Sequence, residues 1–139
     1  MSRQGKTYSL PFDGAEKPPA IISMCCLGIP CQYKPGRHIK KDRIAWLMER
    51  YTLIPICPEQ LGGLPTPRPA CHLSGYYVIG RDGEDYTAAY KRGAELTLDV
   101  CNFFGAGRAF MKRLSPSCDS VRGITALFLR GAGIRVLGV

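Results

Sequence analysis

Four short apolar runs, Ala20 to Met24, Thr52 to Ile56, Arg108 to Leu114 and Ile134 to Leu137, alternate with stretches whose apolar residues recur at helical spacing. That alternation constrains the fold more than any other feature of the chain. Each run has the length of a strand, and strands separated by helical segments form parallel sheets, because a parallel neighbour is reached only by a crossover. The reading is a single-domain, three-layer α/β fold, Rossmann-like, with a mainly parallel sheet and helices on both faces. It covers residues 20–139. Residues 1–19 read as a flexible N-terminal arm, since Gly5, Gly14 and Pro18-Pro19 interrupt a stretch without apolar periodicity.

The connections follow from local chemistry. Ile44, Leu47, Met48 and Tyr51 give Ile39 to Tyr51 an apolar helical face. Asp85 or Thr87 can cap a second helix that runs to Phe104, with Ala89, Ala94, Leu96, Val100 and Phe103 as its apolar face and Cys101 as core filler. Ser120 can cap a last helix, through Leu129, that Gly131-Ala132-Gly133 closes. Tyr76 to Ile79 reads as a hairpin strand turned by Gly80-Arg81-Asp82-Gly83. Pro55 lacks a backbone donor, which predicts an edge position or a bulge for its strand. After Glu59, prolines at 65, 67 and 69 forbid helix and stiffen the loop. Gly62 and Gly63 in that loop could offer backbone donors to an anion.

A chain of 139 residues fits one domain with a real core. No apolar run approaches the ~20 residues of a membrane span, and the polar N-terminus lacks a secretory signal, so a cytoplasmic location is expected. There the seven cysteines would stay reduced, and their odd number argues against a closed disulfide set. Metal or cluster ligation is the better reading. The net charge of +8 favours anionic partners such as nucleotides or RNA, although the basic residues are scattered along the chain.

Three of the expected strands end in cysteine, at Cys25, Cys57 and Cys118. If the strands are parallel neighbours, their thiols meet at the carboxyl edge of the sheet, where such folds bind ligands. No CxxC unit occurs, so zinc-ribbon spacing is absent. Three thiolates from separate loops suit either a zinc with an open position or a 4Fe-4S cluster with one iron lacking a protein ligand. Glu59, two residues after Cys57, can handle protons there.

Ser23-Met24-Cys25-Cys26-Leu27-Gly28 with Cys31-Gln32-Tyr33, the long run from Cys57 to Pro69, and Ser115-Pro116-Ser117-Cys118 together resemble the motifs of the 2-thiouracil desulfurase family. The resemblance spans Ala20 to Val139. It implies a 4Fe-4S cluster on Cys25, Cys57 and Cys118, with Glu59 and Ser115 serving the chemistry. It further implies a small thiolated base as substrate. Ser117 and Arg68 stand near these motifs as candidate substrate contacts. The chain departs from the family where Asp119 follows Cys118 and Val121 to Thr125 arrive without the usual intervening loop. Met24 and Cys26 also replace the usual neighbours of Cys25.

The expected reaction is a hydrolysis. An open iron acts as Lewis acid toward the thiocarbonyl sulfur, Glu59 deprotonates the attacking water, and Ser115 relays a proton or orients the ring. Alternatives are a non-catalytic metal- or cluster-binding protein, and a desulfurase acting on thiolated nucleotides or tRNA. Cys31, Cys26, Cys71 and Cys101 are expected to be structural, and His38 and His72 to be surface loop residues.

Overall fold

The computed structural model describes residues 17–31 and 41–139. The expected arm as far as residue 16 and the segment with Gln32, Tyr33 and His38 lie outside the described residues. Strand β1, Pro19–Ser23, runs into a 3-10 turn, Met24–Leu27. Helix α1, Lys41–Arg50, leads to β2, Thr52–Ile56, and a single-turn helix α2, Pro58–Leu61. A hairpin, β3 Cys71–Ser74 and β4 Tyr77–Gly80, precedes the long helix α3, Thr87–Phe104. Strand β5, Arg108–Met111, helix α4, Ile124–Gly131, and strand β6, Arg135–Gly138, complete the chain.

The sheet is four-stranded and parallel, in the order β2-β1-β5-β6. The chain steps from β1 to β2 on one side, then returns past β1 to β5 on the other. The strand order therefore reverses between β1 and β5, the place where open α/β sheets form their binding crevice. Pro55 sits exposed on the edge strand β2, where its missing donor faces no neighbour.

Two apolar layers cover the sheet. On one face Ile21, Ala109, Met111 and Val136 pack against Cys101 of α3 and Ala126 and Leu129 of α4. On the other face Ala20, Ile22 and Phe110 pack against Leu47 of α1, with Ile44 and Tyr51 at its border. This alternation along β1 is the two-residue period of a strand buried on both sides.

The structure departs from expectation at several points. Strand β1 stops at Ser23, because Met24 already belongs to the 3-10 turn that Gly28 ends at φ 83°. Met48 is 56% exposed rather than part of the α1 core face. The hairpin has a strand before Tyr77, β3, whose alternation through Cys71, His72, Leu73 and Ser74 the sequence reading passed over. Its reversal is at Gly75, while the Gly80–Gly83 turn feeds a single bridge between Ile79 and Asp85. The buried face of α3 is Tyr90, Gly93, Ala94, Thr97 and Cys101 rather than the stripe through Leu96 and Phe103. Strand β5 ends at Met111, not Leu114, which turns the chain with φ 61°. Helix α4 is capped at Gly123 rather than Ser120. Its first backbone donors are satisfied by carbonyls, Ile124 N–H to Pro116 O (3.0 Å) and Thr125 N–H to Ser117 O (2.9 Å).

Candidate active site

Parallel β1, β2 and β5 bring their trailing segments to one sheet edge, and a cavity of about 200 Å³ opens there. Cys25, Cys57 and Cys118 line it together, as do Glu59, Arg68 and Ser115. Ser117 lies just behind the wall, 1% exposed.

Each side chain is positioned by its own local device. Cys25 is on the 3-10 turn that continues β1. Cys57 is the residue before Pro58, which opens α2 with a ring preset for the first helical position. Two glycines press α2 onto α3: a Cβ on Gly93 would meet the Pro58 carbonyl, and one on Gly62 the Ala89 carbonyl. Gly62 thus serves helix packing, Gly63 turns the chain at φ 97°, and neither lines the cavity. Cys118 is on a turn that Ser115 Oγ holds, accepting from the backbone N–H of Ser117 (3.3 Å) and Cys118 (3.2 Å). Asp119 closes the short segment beyond. Its carboxylate accepts from the backbone N–H of Leu114 (2.8 Å), Val121 (3.0 Å) and Arg122 (3.0 Å).

Glu59 is gripped from three directions. Tyr90 of α3 donates its hydroxyl to Glu59 Oε1. Arg68 Nη2 pairs with Oε2 at 3.3 Å, with the arginine side chain 2% and the carboxylate 13% exposed. Ser117 Oγ donates to Oε2 at 3.3 Å and also lies 3.4 Å from Cys118 Sγ. Arg68 has further duties. Its Nη1 donates to Pro65 O and Thr66 Oγ1, both at 2.9 Å, beside the cis Thr66–Pro67 peptide, and its Nη2 donates to Cys31 O at 2.7 Å. Nε donates to Glu59 Oε1 at 3.4 Å, so the guanidinium makes four hydrogen bonds beside its ion pair with Glu59. Arg68 therefore braces the site from within the protein and also lines its cavity.

The thiols do not share one state. Hydrogen bonds from Cys26 and then Cys31 hold Cys25 well below the usual thiol range. Cys31 likewise lowers Cys57, helped by the backbone amide of Gln60. Their donor, Cys31, is pushed up in turn by its bonds to Cys25 and Cys57. Burial pushes Cys118 up to about 12. Thiolate is the form that binds metal, so two of the three strand-end thiols are biased toward ligation.

Among the described residues, no three His, Cys, Asp or Glu side chains are grouped to hold a single metal ion. A tetrahedral zinc needs its ligands around one point, whereas each iron of a cluster takes its own thiolate. Soft donors arrayed around a cavity, two of them biased toward thiolate, fit the cluster. Cys25, Cys57 and Cys118, the residues expected to hold it, are among the thiols on that wall, with Cys31 beside them.

Three residues of the cavity wall, Cys31, Cys71 and Lys112, and Tyr90 behind Glu59 had no functional part in the sequence reading. Cys31 and Cys71 line the wall, although both were expected to be structural. Lys112 lines it directly after β5. Tyr90 reaches Glu59 from the buried face of α3. The spacing of Tyr90, Ala94, Thr97 and Cys101 was the available signal for that face. His72, in contrast, is exposed as expected.

Comparison with known proteins gives three concordant likenesses. The chain matches the 2-thiouracil desulfurase family over residues 20–136. It is 31% identical over 141 residues to the uncharacterized protein YbbK of Bacillus subtilis (strain 168), covering 84% of this chain and 93% of that protein. The solved structure of the 4Fe-4S-dependent thiouracil desulfidase TudS matches at a TM-score of 0.81 and 36% identity, over 88% of this chain and 91% of that one.

Proposed function

This chain belongs to the 2-thiouracil desulfurase family, and from that premise we propose that it is a 4Fe-4S-dependent desulfurase that hydrolyses the thiocarbonyl of a thiolated pyrimidine. The overall change is C=S plus water to C=O plus hydrosulfide and a proton. No electron is gained or lost. A cluster held by Cys25, Cys57 and Cys118 would supply Lewis acidity at an iron without a protein ligand.

The chain's own residues supply the rest. Glu59 takes a proton from the attacking water. Tyr90 and Arg68 fix the plane of its carboxylate, so little reorganisation is needed when the proton arrives. Ser117 orients the same carboxylate from behind the wall. Ser115, on the cavity face of the third motif, orients the ring. The observation that carries this reading is the position of Ser117 Oγ, within 3.3 Å of Glu59 Oε2 and 3.4 Å of Cys118 Sγ. One hydroxyl ties the expected base to an expected cluster ligand across 58 residues of sequence.

The test is anaerobic purification followed by iron, labile sulfide and activity measurements. Wild type should carry iron and release sulfide from 2-thiouracil. Glu59→Gln should keep the iron and lose turnover by about a hundredfold or more. Full activity in that variant would remove Glu59 from the mechanism, and iron-free wild type would remove the whole reading.

A thiolated nucleotide is a second reading of the substrate. Beside Ser115 and Pro116 the cavity meets a surface depression that His72 and Arg122 also line, with room beyond the base. A higher kcat/KM for thiouridine monophosphate than for 2-thiouracil would favour it.

A further inference from the structure

Leu114 occupies a backbone conformation that suits it poorly. Its φ of 61° is left-handed, a region in which a Cβ crowds the following carbonyl. The other described residues with positive φ are all glycines. The turn is held from both sides. The backbone N–H of Lys112 donates to Ser23 Oγ at 2.9 Å, and that of Leu114 itself donates to Asp119 Oδ2 at 2.8 Å.

Packing does not offset that cost. Leu114 is 93% exposed and belongs to neither apolar layer of the sheet. A strained backbone with an unburied apolar side chain serves the fold less well than glycine would. The position of the residue accounts for it instead. Leu114 lines both the thiol cavity and the adjoining depression, as do Cys71, Ser115 and Pro116. Cys25, Cys57 and Cys118 are buried while Leu114 is open to solvent, which puts Leu114 on the outer rim. A 2-thiopyrimidine that enters with its thiocarbonyl toward the buried thiols turns the opposite side of its ring, with the C–H groups at C5 and C6, toward that rim. Such an edge gains from contact with an apolar side chain that displaces water from it.

We infer that Leu114 is a substrate-contact residue, held in a strained turn at the rim so that its side chain covers the apolar edge of the bound base. The inference rests on the desulfurase reading above. It assigns Leu114 to binding and not to the chemical step, because the contact is the same in the ground state and the transition state.

The test compares thermal unfolding with steady-state sulfide release for anaerobic, cluster-loaded Leu114→Asn, Leu114→Gly and Leu114→Met. Asparagine and glycine accept a left-handed backbone, so both variants should unfold at or above the wild-type Tm. Without the apolar side chain their KM for 2-thiouracil should rise about five- to tenfold, with kcat within about twofold of wild type. Leu114→Met keeps an apolar side chain of similar volume and should stay within about twofold of the wild-type KM. An unchanged KM in Leu114→Asn or Leu114→Gly overturns this inference alone. So does an equal rise in Leu114→Met, which would make the turn and not the apolar side chain the determinant. A Leu114→Gly protein that unfolds well below wild type overturns it in favour of a structural role. Wild type that releases no sulfide from 2-thiouracil overturns the desulfurase reading and this inference together.

Discussion

A Cβ on Gly93 would stand 1.9 Å from the carbonyl oxygen of Pro58. Gly62 answers it from the other side, since its own Cβ would lie 2.0 Å from the Ala89 carbonyl. The backbones of α2 and α3 are in direct contact, and only residues without a side chain permit that approach. Helix α2 begins directly after Cys57, its N-cap, and carries Glu59, so the contact sets both residues in place. Gly93→Ala should force α2 away from α3, destabilise the fold by about 1–3 kcal/mol and lower iron content. Thermal unfolding and iron analysis of the purified variant check this; a protein unchanged in both would show that α2 can shift without consequence.

Tyr90 gives the site a donor that can be removed alone. Its ring is buried and its hydroxyl donates to Glu59 Oε1. Burial, then the neighbouring carboxylate, hold the phenol well above its usual range, so it remains a donor throughout the working pH. Tyr90→Phe keeps the packing and removes one of the three groups that grip Glu59. Because Arg68 and Ser117 remain, the expected loss is partial, about tenfold in kcat with a smaller change in KM. Steady-state sulfide release gives both constants. A loss confined to KM would place Tyr90 in substrate binding instead.

Asp119 makes stability depend on acidity. Backbone donors, first Leu114 and then Arg122 and Val121, hold its carboxyl below the usual carboxylate range. A group depressed in the folded state contributes stability that is fully present above its unfolded value near pH 4. That contribution disappears as pH falls through the lower folded value. Asp119→Asn should therefore have a lower Tm than wild type at pH 7, and the gap should shrink toward pH 3. The side chain is largely solvated, so the gap is modest. A gap that did not narrow at all between pH 7 and pH 3 would mean that the hydrogen bonds matter and the charge does not.

What the sequence revealed and what it hid divide along physical lines. The parallel sheet and the gathering of Cys25, Cys57 and Cys118 were legible, because strand length, crossover length and the place of each thiol in a segment that trails a strand are local facts, although Cys118 lies seven residues beyond the end of β5. Pro55 announced its edge strand for the same reason. Tyr90 and Thr97 were missed because a polar residue on a helix is normally read as solvent-facing, and only the fold shows that α3 buries them. The partners of Arg68 were hidden for a related reason. A cation in a loop suggests a ligand; this one lines the cavity and also bonds Glu59, Cys31, Pro65 and Thr66. Asp119, a departure from the family pattern, proves to be the carboxylate that closes its own shortened segment. No single-residue signal could have revealed those three backbone amides.

Cys31 separates the thiols that would hold a cluster from those that support them. It is 2% exposed, it lines the same cavity, and Arg68 fixes its carbonyl. The Cys57 thiol donates to the Cys31 carbonyl at 3.6 Å, and the proximity of the Cys31 thiol lowers Cys25 and Cys57 while Cys31 itself is raised, the direction for a thiol that keeps its proton. A serine can replace a donor but is a poor thiolate ligand. Serine substitution at Cys25, Cys57 or Cys118 should therefore abolish most of the iron and labile sulfide in anaerobically purified protein. Cys31→Ser should retain nearly all of it, and Cys31→Ala, which has no donor, should fall between. If Cys31→Ser lost its iron as fully as the other three, Cys31 would be a ligand and the fourth iron would be closed. The Lewis-acid step would then need ligand exchange before substrate could bind.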